Sequence, residues 1–571
     1  MTAVPDLIRT GAGALQRRDV AAARACFRRA LALAPDHADA WNALGVAHGS
    51  AGDFGGAGAP FERAAVCAPA NPNAARNLAE CLKRQGRADE ARDRLAAAVR
   101  RGALSPDLLC DLADLWLAAG APPAALPFYR LALLVAPDHA RSLNNRAEAL
   151  AKAGRLDEAA DAFARLATLR GTTAPGASGA AAWAAAGSAL LEAWRQDQAR
   201  RALRRAAVLD PSMAGVWANL GFAGLGRHAV DTAETAFARA LRLAPDLTEA
   251  RVGQGTLLLL TGRLRDGAAA YEARLGLPRF ATPRRFDRPA WDGTVRPGQT
   301  LLIHADRGIG DAVQFIRYAP LLRARGMRIV FHGPAPLLDL FRASGIVDAV
   351  ADYDGPPPEH DAQVDILSLM HRMGTDLDSV PATVPYLRAP EPAARRWADR
   401  LAGVPGLKIG LVWSGSTVFP YHRQRSPGLE PLLPLTGLPG TTAVALQVGP
   451  GRRDLECAVT PGPLLDLGAE VRDFADTAAI IQALDLVVSP CTSVTHLAGA
   501  LGRPVAVLLD RGAEWRWMLD RTDSPWYPTA RLYRQSTFGD WSGPVERLRR
   551  DLAEMGKGTV DEWSRNAGRA S

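Results

Sequence analysis

The chain has 571 residues, enough for about three to five domains at roughly 100 to 200 residues each, which excludes a single small binding module. Its 68 basic and 60 acidic residues leave a formal charge of +8, too small over this length to argue for nucleic acid or an anionic membrane as partner. Only four of the basic residues are Lys, and alongside 53 Gly and 41 Pro the excess of Arg reads as composition, of the kind a GC-rich genome produces.

The first stretch, MTAVPDLIRTGAGALQRRD, lacks a basic head followed by an apolar run, so no secretory signal is read there. The uncharged stretch from Gly171 to Leu191 is mostly Ala, Gly, Ser and Thr, too weakly apolar for a span. A cytoplasmic protein without membrane insertion is therefore expected. The Cys residues, at 26, 67, 81, 110, 457 and 491, show no CxxC pair and no His at metal spacing. Small buried thiols are expected, not a disulfide framework or a zinc site.

A pattern of W-x2-L-G, then A-x3-F, then a closing Pro recurs every 34 residues. Its fullest copy is Trp41, Leu44, Gly45, Ala57, Phe61, Ala64 and Pro69, and the same phase gives Gly11, Ala23, Phe27, Ala30 and Pro35 before it. After it come Leu78, Ala91 and Leu95, then Leu109, Leu112, Ala125, Tyr129, Ala132 and Pro137, then Leu143, Ala147, Ala159 and Phe163. A six-residue slip falls in GTTAPGASG, read as a longer turn; the phase resumes at Trp183, Gly187, Ala199, Leu203, Ala206 and Pro211. Trp217, Leu220, Gly221, Ala233, Phe237, Ala240 and Pro245 follow, and a weaker last unit has Gly255, Leu258 and Tyr271.

On these residues the first half resembles the tetratricopeptide repeat family, with seven to eight copies in a domain spanning residues 1–275. The physics of the pattern agrees. Small residues let two antiparallel helices approach, the aromatic fills the gap to the next hairpin, and Pro ends the second helix. Stacked hairpins form a superhelix with an extended concave groove. The resemblance implies that this groove captures a protein acceptor; a purely architectural spacer is the alternative.

A linker at 276–299, rich in Pro and Arg, ends that rhythm. TLLIHAD reads as a buried strand, RGIGD as a tight turn opening the helix AVQFIRYAPLLRARG, MRIVFHG as a second strand, and AVADY and QVDILSL as further strands. A second start comes at KIGLVWSGS, followed by TAVALQV, the helix DTAAIIQAL, the strand DLVVSP, the helix opening at TSVTHLAGALG, and PVAVLLD. Two βαβ sets, each with its own first strand, predict two doubly wound lobes, at 300–400 and 401–571. Ligands of such sheets sit beyond the carboxyl ends of the strands, so the loops after Ala305, Trp413, Val448 and Val488 are expected to line one cleft.

Four segments, ADRGIGDAVQFIRYAPLL, SGSTVFPYHRQRS, DFADTAAIIQALDLVVSPCTSVTHLAGALGRPV and EWRWMLDRTDSPWYPTARLYRQ, together resemble the heptosyltransferase-like glycosyltransferases of the two-lobed GT-B fold. The resemblance implies an all-α tetratricopeptide superhelix followed by a C-terminal α/β GT-B domain, with the acceptor on the first lobe and a nucleotide-sugar on the second. No cofactor is implied beyond the nucleotide-sugar as co-substrate, and no metal.

Gly308 and Gly310 permit a close turn, and Asp311 stands where the resemblance places the general base. Two readings of Asp311 remain, base and helix cap. Asp306 and Arg307 are lesser candidates for substrate contact. CTSVTHLAGALG opens a helix directly after a buried strand, so its amides and positive dipole make an anion site to which Thr492 and Ser493 add hydroxyls and His496 a ring nitrogen. A capped helix with a buried His is the alternative. Relatives commonly carry an Asp just before this Thr; here Pro490 and Cys491 occupy the place. In the loop after KIGLVWSGS, with Ser414 at the cleft, Arg423, Arg425 and Ser426 sit where relatives hold the donor phosphate, with Arg425 favoured over an exposed loop Arg. Gln447 and Gly449 are assigned to the base or ribose. For the Trp-rich segment from Glu514 to Trp541, packing between lobes is favoured over stacking on a ligand. The Asp-x-Asp strings at Asp352 to Asp354 and Asp376 to Asp378 lack the context of a metal motif.

The expected function is transfer of a sugar from a nucleotide-sugar to Ser or Thr hydroxyls of a captured protein. The domain order and cytoplasmic signature resemble bacterial flagellin glycosyltransferases, which implies flagellin as acceptor and a CMP-linked nonulosonic acid as donor. Two alternatives stand beside it: a saccharide or lipid-linked glycan as acceptor, and a scaffold whose transferase domain has decayed.

Overall fold

The structure is a computed structural model that describes residues 3–173, 177–278, 280, 284, 286–305, 308–416, 422–512 and 514–555. Asp306 and Arg307 lie outside the described residues, as do the side chains of His422 and Arg423. The chain forms two compact units, Met1–Ser212 and Met213–Ser571.

The first unit is a tetratricopeptide-type superhelix of paired antiparallel helices, running from Ala3–Gln16 with Val20–Leu33 to Ala177–Glu192 with Gln196–Leu209. Helix starts are chemically marked: Asp19 accepts the Ala22 amide at 3.0 Å, Asp53 that of Gly56 at 2.8 Å and Ser105 that of Leu108 at 3.1 Å. The glycine of the repeat is a steric requirement. A Cβ on Gly45 would stand 2.5 Å from the Phe61 ring, and one on Gly11 2.5 Å from Phe27. The Trp41 indole donates to the Pro35 carbonyl at 2.6 Å, fastening one hairpin to the end of the previous one. The slip in GTTAPGASG differs from the expected long turn. Its extra residues lengthen two helices, Leu156–Thr173 at 18 residues and Ala177–Glu192 at 16, while 174–176 lie outside the described residues.

The second unit opens with two more hairpins, Ala214–Leu225 with Val230–Leu243 and Thr248–Leu260 with Leu264–Tyr271. Two parallel sheets follow. The first comprises β1 (Thr300–His304), β2 (Arg328–Gly333), β3 (Ala349–Asp352) and β4 (Ala362–Asp365), in the order β3-β2-β1-β4. QVDILSL is strand only as far as Asp365, because the Asp365 carboxylate accepts the Leu367 amide at 3.1 Å and starts a 3-10 turn. The second sheet comprises β5 (Leu407–Leu411), β6 (Thr441–Ala445), β7 (Leu464–Asp466), β8 (Leu486–Pro490), β9 (Val505–Leu509) and β10 (Ala530–Arg534), in the order β10-β9-β8-β5-β6-β7. β8 and β9 are buried along their whole length, as central parallel strands covered on both faces must be.

In each sheet the first strand has neighbours that depart in opposite directions, β2 and β4 beside β1, and β6 and β8 beside β5. These are switch points, where crevices open. One apolar core joins Phe237, Leu257 and Leu259 of the hairpins to Phe315, Tyr318, Trp515 and Trp526, and a second, with Trp413, Tyr533 and Leu548, covers the other face of the larger sheet. The Trp-rich segment packs between the lobes as expected: Trp517 and Trp526 are fully buried, and Phe315 meets Trp526 edge-on at 5.6 Å. Arg317 locks that contact by donating to the Trp526 carbonyl at 2.6 Å and the Tyr386 hydroxyl at 2.9 Å.

The thiols do not all follow the expectation of burial. Cys81 and Cys110 are buried, but Cys457 is exposed at the end of the 3-10 turn Gly449–Glu456. The Asp-x-Asp strings serve local turns: Asp352 accepts the Asp354 amide at 3.1 Å, and Asp376 caps the turn Leu377–Ser379. Among the described residues no helix is long and apolar enough to cross a membrane.

Candidate functional site

A cleft of about 780 Å³ opens at the two switch points, lined by the loops after β1, β5, β6 and β8. Its size suits a nucleotide-sized ligand.

On the first lobe, Gly308 takes the left-handed conformation, φ 61°, and starts the helix Ile309–Phe315. A Cβ on Gly308 would fall 2.3 Å from Asp311 Oδ2, so glycine is what lets the Asp311 carboxylate fold over the turn. The helix has no side-chain cap. Asp311 instead accepts from Arg516 Nη2 at 2.5 Å. Arg516 also donates to Glu514 at 2.8 Å and to Gln314 Oε1 at 2.8 Å, so one guanidinium ties the loop after β9 to the helix after β1. Burial pushes the Asp311 carboxyl above its ordinary range; Arg516 opposes the rise and Glu514 adds to it.

On the second lobe, the helix Ser493–Ala500 begins directly beyond β8. Thr492 occupies its N-cap without a capping bond, its hydroxyl pairing with Ser489 at 2.9 Å. The first-turn amides therefore face the cleft without a side-chain cap, the condition under which a helix end attracts an anion. This end meets the other lobe closely: a Cβ on Gly310 would lie 3.6 Å from Ser493 Cα and 3.0 Å from His496 Cδ2. His496 is buried, stacks on Trp517 at 5.5 Å and pairs through Nδ1 with the Tyr527 hydroxyl at 3.1 Å. Burial, with Arg516 and Arg317 nearby, holds its pKa well below the ordinary value, so the ring is neutral at pH 7.

Arg425 closes the same corner. A Cβ on Gly415 would lie 3.1 Å from Arg425 Nη2 and 3.5 Å from Thr492 Cγ2, which places the guanidinium over the Gly415 turn beside the helix end. Ser426 Oγ accepts the Gly415 amide at 3.2 Å. Gln447 is a positioning residue: its Oε1 accepts the amides of Trp413 at 3.0 Å and Ser414 at 2.8 Å, and its Nε2 donates to the carbonyls of Ser414 at 3.0 Å and Val448 at 2.9 Å. That uses the whole capacity of the amide, so Gln447 shapes the Ser414 loop and has nothing left for a base or ribose. Cys491 lines the cleft with its thiol pushed up to about 12 by burial, so a neutral sulfhydryl stands where relatives of the resemblance carry a carboxylate.

The cleft thus brings together Asp311, Gly308, Gly310, Ser414, Arg425, Gln447, Thr492, Ser493 and His496. It also holds residues the sequence reading passed over. Glu514 and Arg516 were hidden by the Trp residues around them; two charges inside a buried aromatic run were the available signal. Thr256 and Tyr271 come from the last hairpin, and there the signal was the repeat aromatic at 271 with no further repeat to receive it.

Tetratricopeptide repeat models match residues 10–75 and 129–178, and a second such model matches 50–109. The helical array is built of tetratricopeptide repeats. Protein FlbA of Caulobacter vibrioides is 26% identical over 341 residues, covering 54% of this chain and 56% of FlbA, so the match spans little more than half of that protein. Among solved structures, the array is similar to YrrB, a TPR protein with an unusual peptide-binding site, at 18% identity over 39% of this chain and 95% of that one, with a TM-score of 0.27. Pseudomonas aeruginosa PilF is similar at 22% identity over 38% of this chain and 95% of that one, with a TM-score of 0.31. The C-terminal pair of parallel sheets is consistent with a GT-B domain.

Proposed function

We propose that the chain is a glycosyltransferase that takes a sugar from a nucleotide-sugar bound against the second lobe and places it on a hydroxyl of a polypeptide. The observation that carries this reading is the convergence on one cleft of a carboxylate from the first lobe, Asp311, with Arg425 and the uncapped helix end at Thr492 and Ser493 from the second. In the transfer, a bond forms between the acceptor oxygen and the anomeric carbon while the bond from that carbon to the phosphate oxygen breaks. The acceptor proton passes to the Asp311 carboxylate. The electron pair leaves with the phosphate, whose charge Arg425 and the helix amides offset. No resident metal is assigned to the site.

Flagellin as the acceptor and a CMP-linked nonulosonic acid as the donor are the specific form of this proposal. Their support is the resemblance of the C-terminal segments and the order of the two parts. One observation favours a second reading: the protonated Cys491 thiol supplies no charge where a carboxylate is usual, as in a decayed transferase retained as a repeat scaffold.

Calorimetric titration of the full chain with UDP, GDP, ADP, CMP and their sugar conjugates separates the two. Saturable binding of one nucleotide, weakened by Arg425→Ala, is the expected result; well-folded protein silent to the whole panel establishes the scaffold reading instead.

A further inference from the structure

The large residue at the twenty-fourth position of the repeat, aromatic in all units but those of Leu95 and Leu203, ordinarily plugs the gap to the following hairpin. Phe27, Tyr129 and Phe237 do so and are fully buried; a Cβ on Gly253 of the next hairpin would stand 2.2 Å from the Phe237 ring. Tyr271 holds that position in the last hairpin, and among the described residues no hairpin follows it. The chain turns instead into the 3-10 segment Glu272–Gly276, and Tyr271 lines the cleft.

Tyr271 is firmly held there. A Cβ on Gly255 would come within 2.6 Å of the Tyr271 amide nitrogen, so the two helices of the hairpin touch at this point. Arg274, one helical turn on and almost fully buried, donates to Asp365 at the end of β4 at 2.6 Å and to Ser368 at 2.8 Å. Its guanidinium also lies 5.3 Å from the Tyr271 ring centre. The ring sits 6.4 Å from both Phe280 and Trp515, completing an aromatic wall. Tyr271 and Asp311 line the same cleft. Burial pushes the phenol above its ordinary pKa, with Arg516 and Arg274 opposing the rise and Asp311 and Glu514 adding to it.

The position of this wall defines its ligand. Arg425, Thr492 and Ser493, which hold the anion, belong to the second lobe, whereas Tyr271 belongs to the repeat side and shares the cleft with Asp311. We propose that Tyr271 is an acceptor-binding residue, against whose ring and phenolic hydroxyl a polypeptide lies with its own hydroxyl directed to Asp311. The inference rests on the transferase reading above and adds to it the residue that recognises the polypeptide acceptor. A polypeptide is favoured because Thr256 and Tyr271 of the cleft both belong to a hairpin of the repeat type, the kind of element that the proposed function gives to a protein acceptor. The phenol meets a peptide group as donor or acceptor, and the ring covers apolar side-chain surface.

The test uses the full chain as wild type, Tyr271→Phe and Tyr271→Ala, with whichever nucleotide-sugar binds and two acceptor probes, a pool of Ser/Thr-containing synthetic peptides and a panel of free saccharides. Three quantities are read: nucleotide affinity by calorimetry, donor hydrolysis to water, and transfer kinetics. Tyr271→Ala is expected to raise the peptide KM by about tenfold or more, the loss of one good contact, while nucleotide affinity and donor hydrolysis stay within about twofold of wild type. Tyr271→Phe, which keeps the ring and the packing, is expected to fall between them and guards against a folding defect in the Ala variant. An unchanged peptide KM in both variants or a parallel loss of nucleotide affinity overturns the inference while leaving the transferase reading in place. Wild-type transfer to saccharides and to no peptide overturns the inference together with the polypeptide acceptor proposed above, and leaves only sugar transfer standing. Wild type that binds no nucleotide overturns both.

Discussion

Arg516 in the loop after β9 donates to Asp311 in the helix after β1 at 2.5 Å, so the candidate base and the second lobe are held by one bond across the cleft. The guanidinium is buried and has a second carboxylate, Glu514, at 2.8 Å. Its charge therefore sets both where the Asp311 carboxylate points and how readily it takes a proton.

Asp311→Asn keeps the shape of this contact and removes the base. Transfer is expected to fall by about 10²- to 10⁴-fold, with nucleotide affinity retained. Single-turnover transfer together with calorimetry checks it, and full activity in the variant would return Asp311 to a structural role.

The acid limb of the rate profile follows from the same network. A carboxyl raised by burial is protonated at higher pH than an ordinary Asp, and a base works only when deprotonated, so kcat/KM is expected to decline on acidification with an apparent pKa above that of an ordinary Asp. Glu514 contributes to the rise, so Glu514→Gln, which keeps an oxygen for Arg516, removes a repelling charge and shifts that limb to lower pH. A shift to higher pH in the variant is incompatible with this arrangement.

Arg425→Ala removes the guanidinium beside the Thr492 helix end. A charge-assisted bond to phosphate contributes about 1.5 to 3 kcal/mol, so the nucleotide Kd is expected to rise by about 10- to 100-fold with little change in thermal stability. Equal affinity in wild type and variant, measured by calorimetry, would remove Arg425 from the donor site.

Arg274→Met tests the anchor beneath Tyr271. It removes the cation shared by Glu272 and Asp365, both partly exposed, while Glu272 keeps Arg372 at 3.9 Å, a change that costs about 1 to 3 kcal/mol. A lower unfolding temperature and weaker protection of the segment around Tyr271 in hydrogen exchange are expected.

Gly221→Ala places a Cβ 2.5 Å from the Phe237 ring. Alanine favours helix over glycine by about 1 kcal/mol, but forcing the ring aside costs about 1 to 3 kcal/mol, so a net loss of stability is expected by thermal denaturation. A gain would mean that the ring has room to move.

The repeats were legible because each position of the pattern answers a contact within one hairpin or to the next, as Gly45 answers Phe61; local steric demand recurs with the sequence period. The strands and helix starts of both lobes were legible for a similar reason, since a buried parallel strand requires an apolar run and a tight turn requires Gly308. The same local logic placed Asp311, Arg425 and Thr492 at loop ends facing one cleft. It did not reveal what those groups meet there. Gln447 looked available for a ligand until the backbone groups of Trp413, Ser414 and Val448 were seen to claim its amide. Arg516 lies 205 residues from Asp311, and Arg274 lies 91 from Asp365; no period or motif joins charges at such separations. Those pairings are decided by how the sheets and the last hairpin pack, because a buried charge must find its counter-charge among whatever groups the packing brings near. Tyr271 shows both levels at once. Its sequence made it the last aromatic of the repeat pattern, and only the packing of the second lobe brought Trp515 beside it and made it the wall of a cleft.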